Sequence, residues 1–497
     1  MKIKIALLAD LHLPFIESAS QYKALEFAVD SINRNMPDVV VGLGDMTACG
    51  DINAAEYFLN EMRKIDLPKL FILGNSDIRT KENIDKIKIL QSEQELKVNK
   101  WTLLGINTAD SRISEDDRKR LSSIDENTIV FMHHPPQDLC KDSKAFMENL
   151  LENKSYKACV YGHLHCFEQK GNMCCIQALD PDKAIGEPPC VTYMILEEGG
   201  ISFEFDYFPC EIPNSIEDYI GLSCFDWSRD IVFAAENNIK NIELRPGVIQ
   251  CDSDLILEKI GYWRKKCGAY LSLHMPDYGY NKGITGLEDW KKAIKLANIL
   301  KANGVTVHVP KISLNDMEGN VKEEVIAFMV NMIKQLPDNC AVGIENMHMT
   351  DSERPDLNRR YGYCPEECIA LVEDINEKFG YERVGALLDV GHARNNAPYS
   401  QKYNISSWYA MLGRKTVGYH IHQVLLKTGG MENHTAITNV FGPLISYCSF
   451  AYAWNHGEIN RKPVFLEIRG GAEKYIPSIK TFLDNIQWKK RWKNINN

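Results

Sequence analysis

The sequence predicts an α/β protein of two domains, an N-terminal α/β sandwich followed by a C-terminal (β/α)8 barrel. Three observations carry that expectation. The chain has 497 residues, more than one ordinary core accommodates. Its first half repeats one grammar, a short continuous apolar run closed by a metal-ligand type of residue, as strands buried on both faces do. Its second half carries eight strand-like runs separated by helix-length segments, the count of a barrel.

Composition sets the frame. Hydrophobic content of 44% and charged content of 25% are those of a globular protein, and the formal net charge is -10. That charge disfavours broad nucleic-acid binding, which needs many phosphate contacts from a basic face, and leaves small anionic substrates open. No apolar run approaches the roughly 20 residues of a membrane helix and no export signal is visible, so a cytoplasmic protein without a membrane partner is expected. The 15 cysteines are scattered and form no CxxC pair, which favours reduced thiols.

In chain order, Ile5-Ala6-Leu7-Leu8-Ala9 ends in Asp10-Leu11-His12, and Val39-Val40-Val41 leads to Gly44-Asp45. Leu70-Phe71-Ile72-Leu73 ends in Gly74-Asn75-Ser76-Asp77, and Thr128-Ile129-Val130-Phe131 in His133-His134-Pro135-Pro136. Ala158-Cys159-Val160 leads to Tyr161-Gly162-His163-Leu164-His165, two imidazoles one residue apart on a glycine turn. A lone Asp after a strand is more often a helix cap, and a lone His more often a hydrogen-bonded residue. The conjunction of DxH, GD, GN, HH and GHxH, each at a strand end, overturns those readings in favour of a metal site. Closing strands follow in Met173-Cys174-Cys175-Ile176, Val191 to Ile195 and Ile201 to Phe205. Two prolines around Pro209 to Asn214 then break the pattern, placing the domains at 1–212 and 213–497.

On those motifs the first ~210 residues resemble the calcineurin-like metallophosphoesterase family. The resemblance implies a binuclear site for Mn, Fe or Zn, one metal held by Asp10, His12 and His165, the other by Asn75, His133 and His163, with Asp45 bridging. It implies hydrolysis of phosphate esters, with Asp45 and Asn75 in the catalytic set. Where the family carries a histidine after GN, this chain has Ser76, which leaves the metal ligands intact but predicts altered or reduced phosphatase activity. Ser76 is the substrate-side candidate there, and His134 a candidate to substitute for the missing histidine.

The barrel strands are expected at Ile220 to Ser223, Asn241 to Leu244, Tyr270 to Leu273, Val305 to Val307, Val342 to Ile344, Gly385 to Leu388, Gly418 to Ile421 and Val464 to Leu466. Asp289 to Asn303 is expected as an amphipathic helix, with Trp290, Ile294, Ala297 and Leu300 or Ile299 on one face. Ligand types gather again at strand ends: His274, His308, Glu345, Asp389 with His392, His420, Glu467, and after strand seven Glu432 and His434. So many ionisable groups at one rim would cost several kcal/mol each if buried unpaired, a cost that cations remove.

This half resembles the xylose-isomerase-like barrel superfamily over nearly all of residues 216–490, through GIEN (Gly343 to Asn346), LDVGH (Leu388 to His392) and HIH (His420 to His422). Two branches stay open. An isomerase or epimerase would use one metal on Glu345, Asp389, His420 and Glu467, with carboxylates transferring protons. An endonuclease IV type of site would use three zinc ions: His274, His308 and Glu345; Glu345, Asp389, His420 and Glu467; and His392, Glu432 and His434. Ligand types at all the extra positions favour the second branch. Glu345 and Glu467 are the catalytic candidates, and one to three divalent metals, Zn or Mn, are expected. Arg245 and Arg469 follow strands two and eight and either bind a substrate phosphate or form ion pairs within the rim. His348, His422 and His456 are weaker candidates for the barrel mouth. Basic residues cluster near the barrel rim at Arg359-Arg360, and the basic tail Lys489-Lys490-Arg491-Trp492-Lys493 reads as a solvated final helix rather than a nucleic-acid surface. The sequence thus points to a bifunctional metal-dependent hydrolase of a small phosphorylated sugar or nucleotide, without organic cofactor; the alternative makes the barrel a sugar or sugar-phosphate isomerase or epimerase.

Overall fold

The structure, a computed structural model, describes residues 2–92, 94–197, 200–210, 214–349, 359–397, 399–428 and 430–486. The proline-broken junction at Glu211 to Pro213 and the basic tail Lys489 to Lys493 lie outside the described residues. The chain divides into two compact units, Met1–Cys210 with Phe441–Ser449, and Glu211–Val440 with Phe450–Asn497.

The first unit is built on two sheets. One has the strand order Gly200–Tyr207, Cys190–Glu197, Ile3–Leu8, Val39–Leu43, Lys69–Ile72. The other has the order Glu95–Val98, Trp101–Gly105, Thr128–Met132, Ala158–Tyr161, Met173–Cys175, Glu168–Lys170. Alternation along each strand divides its side chains between two cores. Ile129 and Phe131 pack with Ile5, Leu7, Val41, Ile72 and Val160, while Val130 and Met132 pack with Leu104, Ile106, Met147 and Leu150. Strand Ile3–Leu8 runs parallel to Val39–Leu43, which runs parallel to Lys69–Ile72; Trp101–Gly105, Thr128–Met132 and Ala158–Tyr161 are likewise parallel. The runs expected from sequence therefore end on the same side of their sheets.

The second unit is a closed barrel of eight parallel strands in sequence order: Ile220–Cys224, Asn241–Leu244, Tyr270–His274, Gly304–His308, Ala341–Glu345, Gly385–Asp389, Thr416–Ile421 and Val464–Leu466. The expected helix at Asp289 to Asn303 runs over Leu287–Leu300, stopped by Lys301 in the left-handed region at φ 50°. Its core face is Trp290, Ala293, Ile294, Ala297 and Leu300, whereas Ile299 is exposed. After strand seven a hairpin, Gln423–Lys427 paired with Gly430–Thr435, rises from the rim. No helix among the described residues is long and apolar enough to cross a membrane.

Candidate metal centres

In the first unit the strand-end loops bring Asp10, His12, Asp45, Asn75, His133, His163 and His165 together. Asp10, His12, Asp45, His163 and His165 all have positive φ, between 49° and 70°. Left-handed backbone costs an L residue energy and persists where the surroundings fix it, commonly at functional loops. The motif glycines are there because nothing larger fits: a Cβ at Gly74 would stand 2.2 Å from Asp45 Oδ1, and one at Gly162 2.9 Å from Asp10 Oδ2.

The donor atoms converge. His12 Nε2 and His165 Nε2 are 3.2 Å apart, and His165 Nε2 is 3.7 Å from Asp10 Oδ1. On the other side, His133 Nε2 lies 3.0 Å from Asn75 Oδ1, 3.3 Å from His163 Nδ1 and 3.5 Å from Asp45 Oδ1. Asp45 Oδ2 is 3.7 Å from His12 Nε2, so its two oxygens face the two sets. Asp10 also belongs to both, since it groups with Asp45 and His133 as well as with His12 and His165 within 4.8 Å.

The surrounding bonds orient these groups. His133 Nδ1 donates to Leu43 O at 2.8 Å, leaving Nε2 with its lone pair. The His163 amide donates to both oxygens of Asp10. Asp77, which sequence reasoning did not single out, accepts from the amides of Asp45, Thr47 and Gly74 and so ties the GD loop to the GN loop. Burial pushes the imidazoles of His12, His133 and His163 down and His165 to about 3, the neutral form in which histidine binds metals. Burial, and then Asp45, raises Asp10. Ser76 is turned inward: its amide and hydroxyl donate to Asp45 at 2.7 and 2.9 Å. His134 donates through Nδ1 to Thr108 O at 2.6 Å, its ring 4.3 Å from that of His163.

At the barrel mouth Glu345 is the hub. Its Oε2 faces His274 Nε2 at 3.1 Å and His308 Nε2 at 3.3 Å, and its Oε1 faces His420 Nδ1 at 3.0 Å. His420 Nδ1 is also 2.8 Å from Glu467 and 3.9 Å from Asp389. Burial opposes ionisation of Glu345, but His420 and His308 overcome it and hold the carboxyl well below its usual range. Against the same burial, Glu345 and Asp277 push His308 up to about 9.

The third set differs from the sequence expectation of His392, Glu432 and His434. Asp389, His422 and His434 are the residues whose ligand atoms converge, with His422 Nε2 3.2 Å from Asp389 Oδ1. Glu432 instead pairs with Lys427 at 2.5 Å, because strand pairing in the hairpin turns it away, and its side chain is 43% exposed. His392 turns Nδ1 to Asn346 O at 3.0 Å and lies 3.6 Å from both Glu345 and Asp389. Arg245 is committed to Glu467 at 2.8 Å, an ion pair within the rim. Arg469 lines a cavity of about 480 Å³ with His348, Lys427, Glu432 and His434. His456 stacks on Tyr452 and takes no part.

Cations fit both centres on the chemistry of the donors. Asp389 Oδ2, Glu467 Oε2 and His434 Nδ1 are buried without a hydrogen-bond partner, an arrangement a cation relieves. Sequence reasoning also passed over Glu243, fully buried in the second strand and 2.6 Å from His420 Nε2. Its signal was present: a glutamate between Ile242 and Leu244 in a strand buried on both faces.

Comparison with known proteins agrees for the first unit. Residues 3–167 match the sequence profile of calcineurin-like phosphoesterases. A probable cyclic nucleotide phosphodiesterase from Xenorhabdus bovienii is 27% identical over 195 residues, covering 33% of this chain and 78% of that protein. The barrel overlays endonuclease IV from Thermus thermophilus at 16% identity, covering 54% of this chain and 98% of that one, with a TM-score of 0.38. It overlays D-psicose 3-epimerase from Clostridium cellulolyticum at 12% identity, covering 53% and 90%, with a TM-score of 0.39. Scores this low carry no functional argument; the barrel stands on its own closed topology.

Proposed function

We propose that the chain is a bifunctional metal-dependent hydrolase of phosphate esters, with a binuclear centre in residues 1–212 and a multi-metal centre in the barrel of residues 213–497. The family profile and the phosphodiesterase relative support the hydrolase of the first domain. For the barrel, the observation that carries the reading is Glu345, whose two oxygens serve two different ligand sets, His274 with His308 and His420 with Glu467. A carboxylate shared in this way suits neighbouring cations.

Asp10, His12 and His165, and Asn75, His133 and His163, would hold two divalent metals across Asp45, with Mn, Fe or Zn suited to this mixed N/O set. In the barrel, Zn or Mn would be held by His274, His308 and Glu345, by Glu345, Asp389, His420 and Glu467, and by Asp389, His422 and His434. Such cations supply the charge that activates water and neutralises phosphoryl oxygens. The protein's part is orientation: Ser76 and Asp77 hold the Asp45 loop, the Leu43 carbonyl fixes the His133 tautomer, and Glu243 fixes that of His420. His134, neutral beside His163, is the group placed to carry a proton, and Arg469 is the cation available to a substrate phosphate on the barrel cavity. A small phosphorylated sugar or nucleotide suits the acidic chain better than nucleic acid, and a cytoplasmic setting belongs to the same reading.

The second reading, a barrel that isomerises or epimerises a sugar, draws on the single four-residue set Glu345, Asp389, His420 and Glu467, whose two glutamates could transfer protons around one metal. Elemental analysis of the intact chain, purified without chelator, separates the two. About five metals per chain, with hydrolysis of phosphodiesters, is the result expected of two plus three sites. About three metals per chain, with aldose–ketose conversion and no phosphate release from the barrel, replaces the first reading with the second.

A further inference from the structure

We propose that Arg79 is the cation that contacts the phosphoryl group at the N-terminal centre, in the place left by the histidine its motif lacks. The proposal rests on the phosphoesterase reading of that centre. Ser76 cannot fill the place. Its hydroxyl proton is committed to Asp45 Oδ2 at 2.9 Å and its amide to Oδ1 at 2.7 Å. The hydroxyl oxygen meanwhile accepts from Arg79 Nη2 at 3.1 Å. The chain Arg79 to Ser76 to Asp45 therefore ends a guanidinium one side chain away from the carboxylate that faces both metal sets.

The turn builds this position. The Arg79 amide bonds to Ser76 O at 3.3 Å, folding the arginine back over the GN loop, and Nη1 donates to Ala48 O at 2.9 Å. A guanidinium has five N–H donors, so these two bonds leave roughly three for a ligand. Arg79 is an exposed residue, and among the described residues no carboxylate lies within ion-pair distance of it. An arginine beside a buried acidic centre with no acid of its own has its charge available to an anion. A role as a loop staple alone is redundant. Thr80 Oγ1 already bonds Cys49 O at 2.5 Å, Asn83 Nδ2 bonds Gly50 O at 3.0 Å, and Asp77 ties the same loops from beneath.

The chemistry differs from that of a histidine. As the water oxygen bonds to phosphorus it gives up a proton, for which neutral His134 is the acceptor, while the bond to the leaving oxygen breaks and that oxygen departs with its electron pair and takes its proton from solvent. Arg79 offers fixed positive charge to the phosphoryl and leaving oxygens but no transferable proton. The rate then depends steeply on how acidic the leaving alcohol is.

The test uses the full chain loaded with Mn²⁺, in a Glu345→Gln background that removes the barrel's contribution, and compares bis(p-nitrophenyl) phosphate with diesters of less acidic alcohols. Arg79→Ala is expected to lower kcat by about 100-fold, with KM changed far less and the N-terminal metals retained. Arg79→Lys is expected to fall between, and added guanidinium to restore part of the Arg79→Ala activity. An Arg79→Ala chain within about twofold of its parent, or one that loses activity together with its metals and is not restored by guanidinium, overturns the proposal. A parent chain that holds its metals and cleaves none of these esters overturns the phosphoesterase reading itself, and the proposal with it.

Discussion

His420 Nε2 lies 2.6 Å from Glu243 Oε2, both side chains fully buried inside the barrel. Glu243 is itself held by the hydroxyls of Ser272 and Thr306. With Nε2–H donated to Glu243, the ring turns its Nδ1 toward Glu345 and Glu467, the arrangement in which a carboxylate sets the tautomer of a metal-binding histidine.

Glu243→Gln keeps the shape but removes the charge that draws the Nε2 proton. Barrel metal affinity should fall by about 10- to 100-fold while that of the N-terminal centre stays unchanged. Chelator competition followed by elemental analysis reads the two centres apart, and equal affinity in mutant and parent would refute the role given to Glu243.

Gly74→Ala places a methyl 2.2 Å from Asp45 Oδ1, and Gly162→Ala one 2.9 Å from Asp10 Oδ2. Each should strip the N-terminal metals while leaving the barrel loaded, with Gly74→Ala the more severe because Asp45 is held on several sides and cannot yield. Phosphodiesterase activity and metal content of the two variants check this ranking.

The third barrel set can be assigned by subtraction. His422→Ala should cost the chain about one metal, whereas Glu432→Gln, which removes only a pair with Lys427 at the rim, should cost none. The reverse outcome would restore Glu432 to the ligand set.

Burial, followed by Asp182, raises Asp180 from the usual carboxylate value to about 7, with Lys183 opposing. The folded state thus holds a proton there that the unfolded chain has released above roughly pH 4. The associated stability is fully present below that pH and is lost as pH rises through about 7, a change on the order of a few kcal/mol. Asp180→Asn should flatten this decline, because Gln21 and the Asp182 amide both bond to Oδ1 and the other oxygen has no hydrogen-bond partner for an amide to disturb. Urea unfolding of metal-free protein at pH 5 and pH 8 measures it.

The strand-end logic was legible because burial on both faces forces continuous apolar runs, and ligands then collect where those runs stop. DxH, GD, GN, HH and GHxH marked seven side chains that the sheets do bring together. Their positive φ values were foreshadowed only where glycine stood beside them. In the barrel the same reasoning found His274, His308, Glu345, Asp389, His420 and Glu467, since each lies at the C-terminal end of its strand or within one residue of it.

Sequence by itself determined the two architectures and the residue types at each rim, because periodicity and strand ends are properties of a local run. Only tertiary structure decided where each side chain spends its hydrogen bonds. Ser76 turns to Asp45, Glu432 follows the hairpin out to Lys427, His422 turns in beside Asp389, and Glu243 reaches His420 from 177 residues away. These are choices among partners distant in the chain, and a buried polar group takes the partner that the fold places within about 3 Å, whatever its neighbours in sequence suggest.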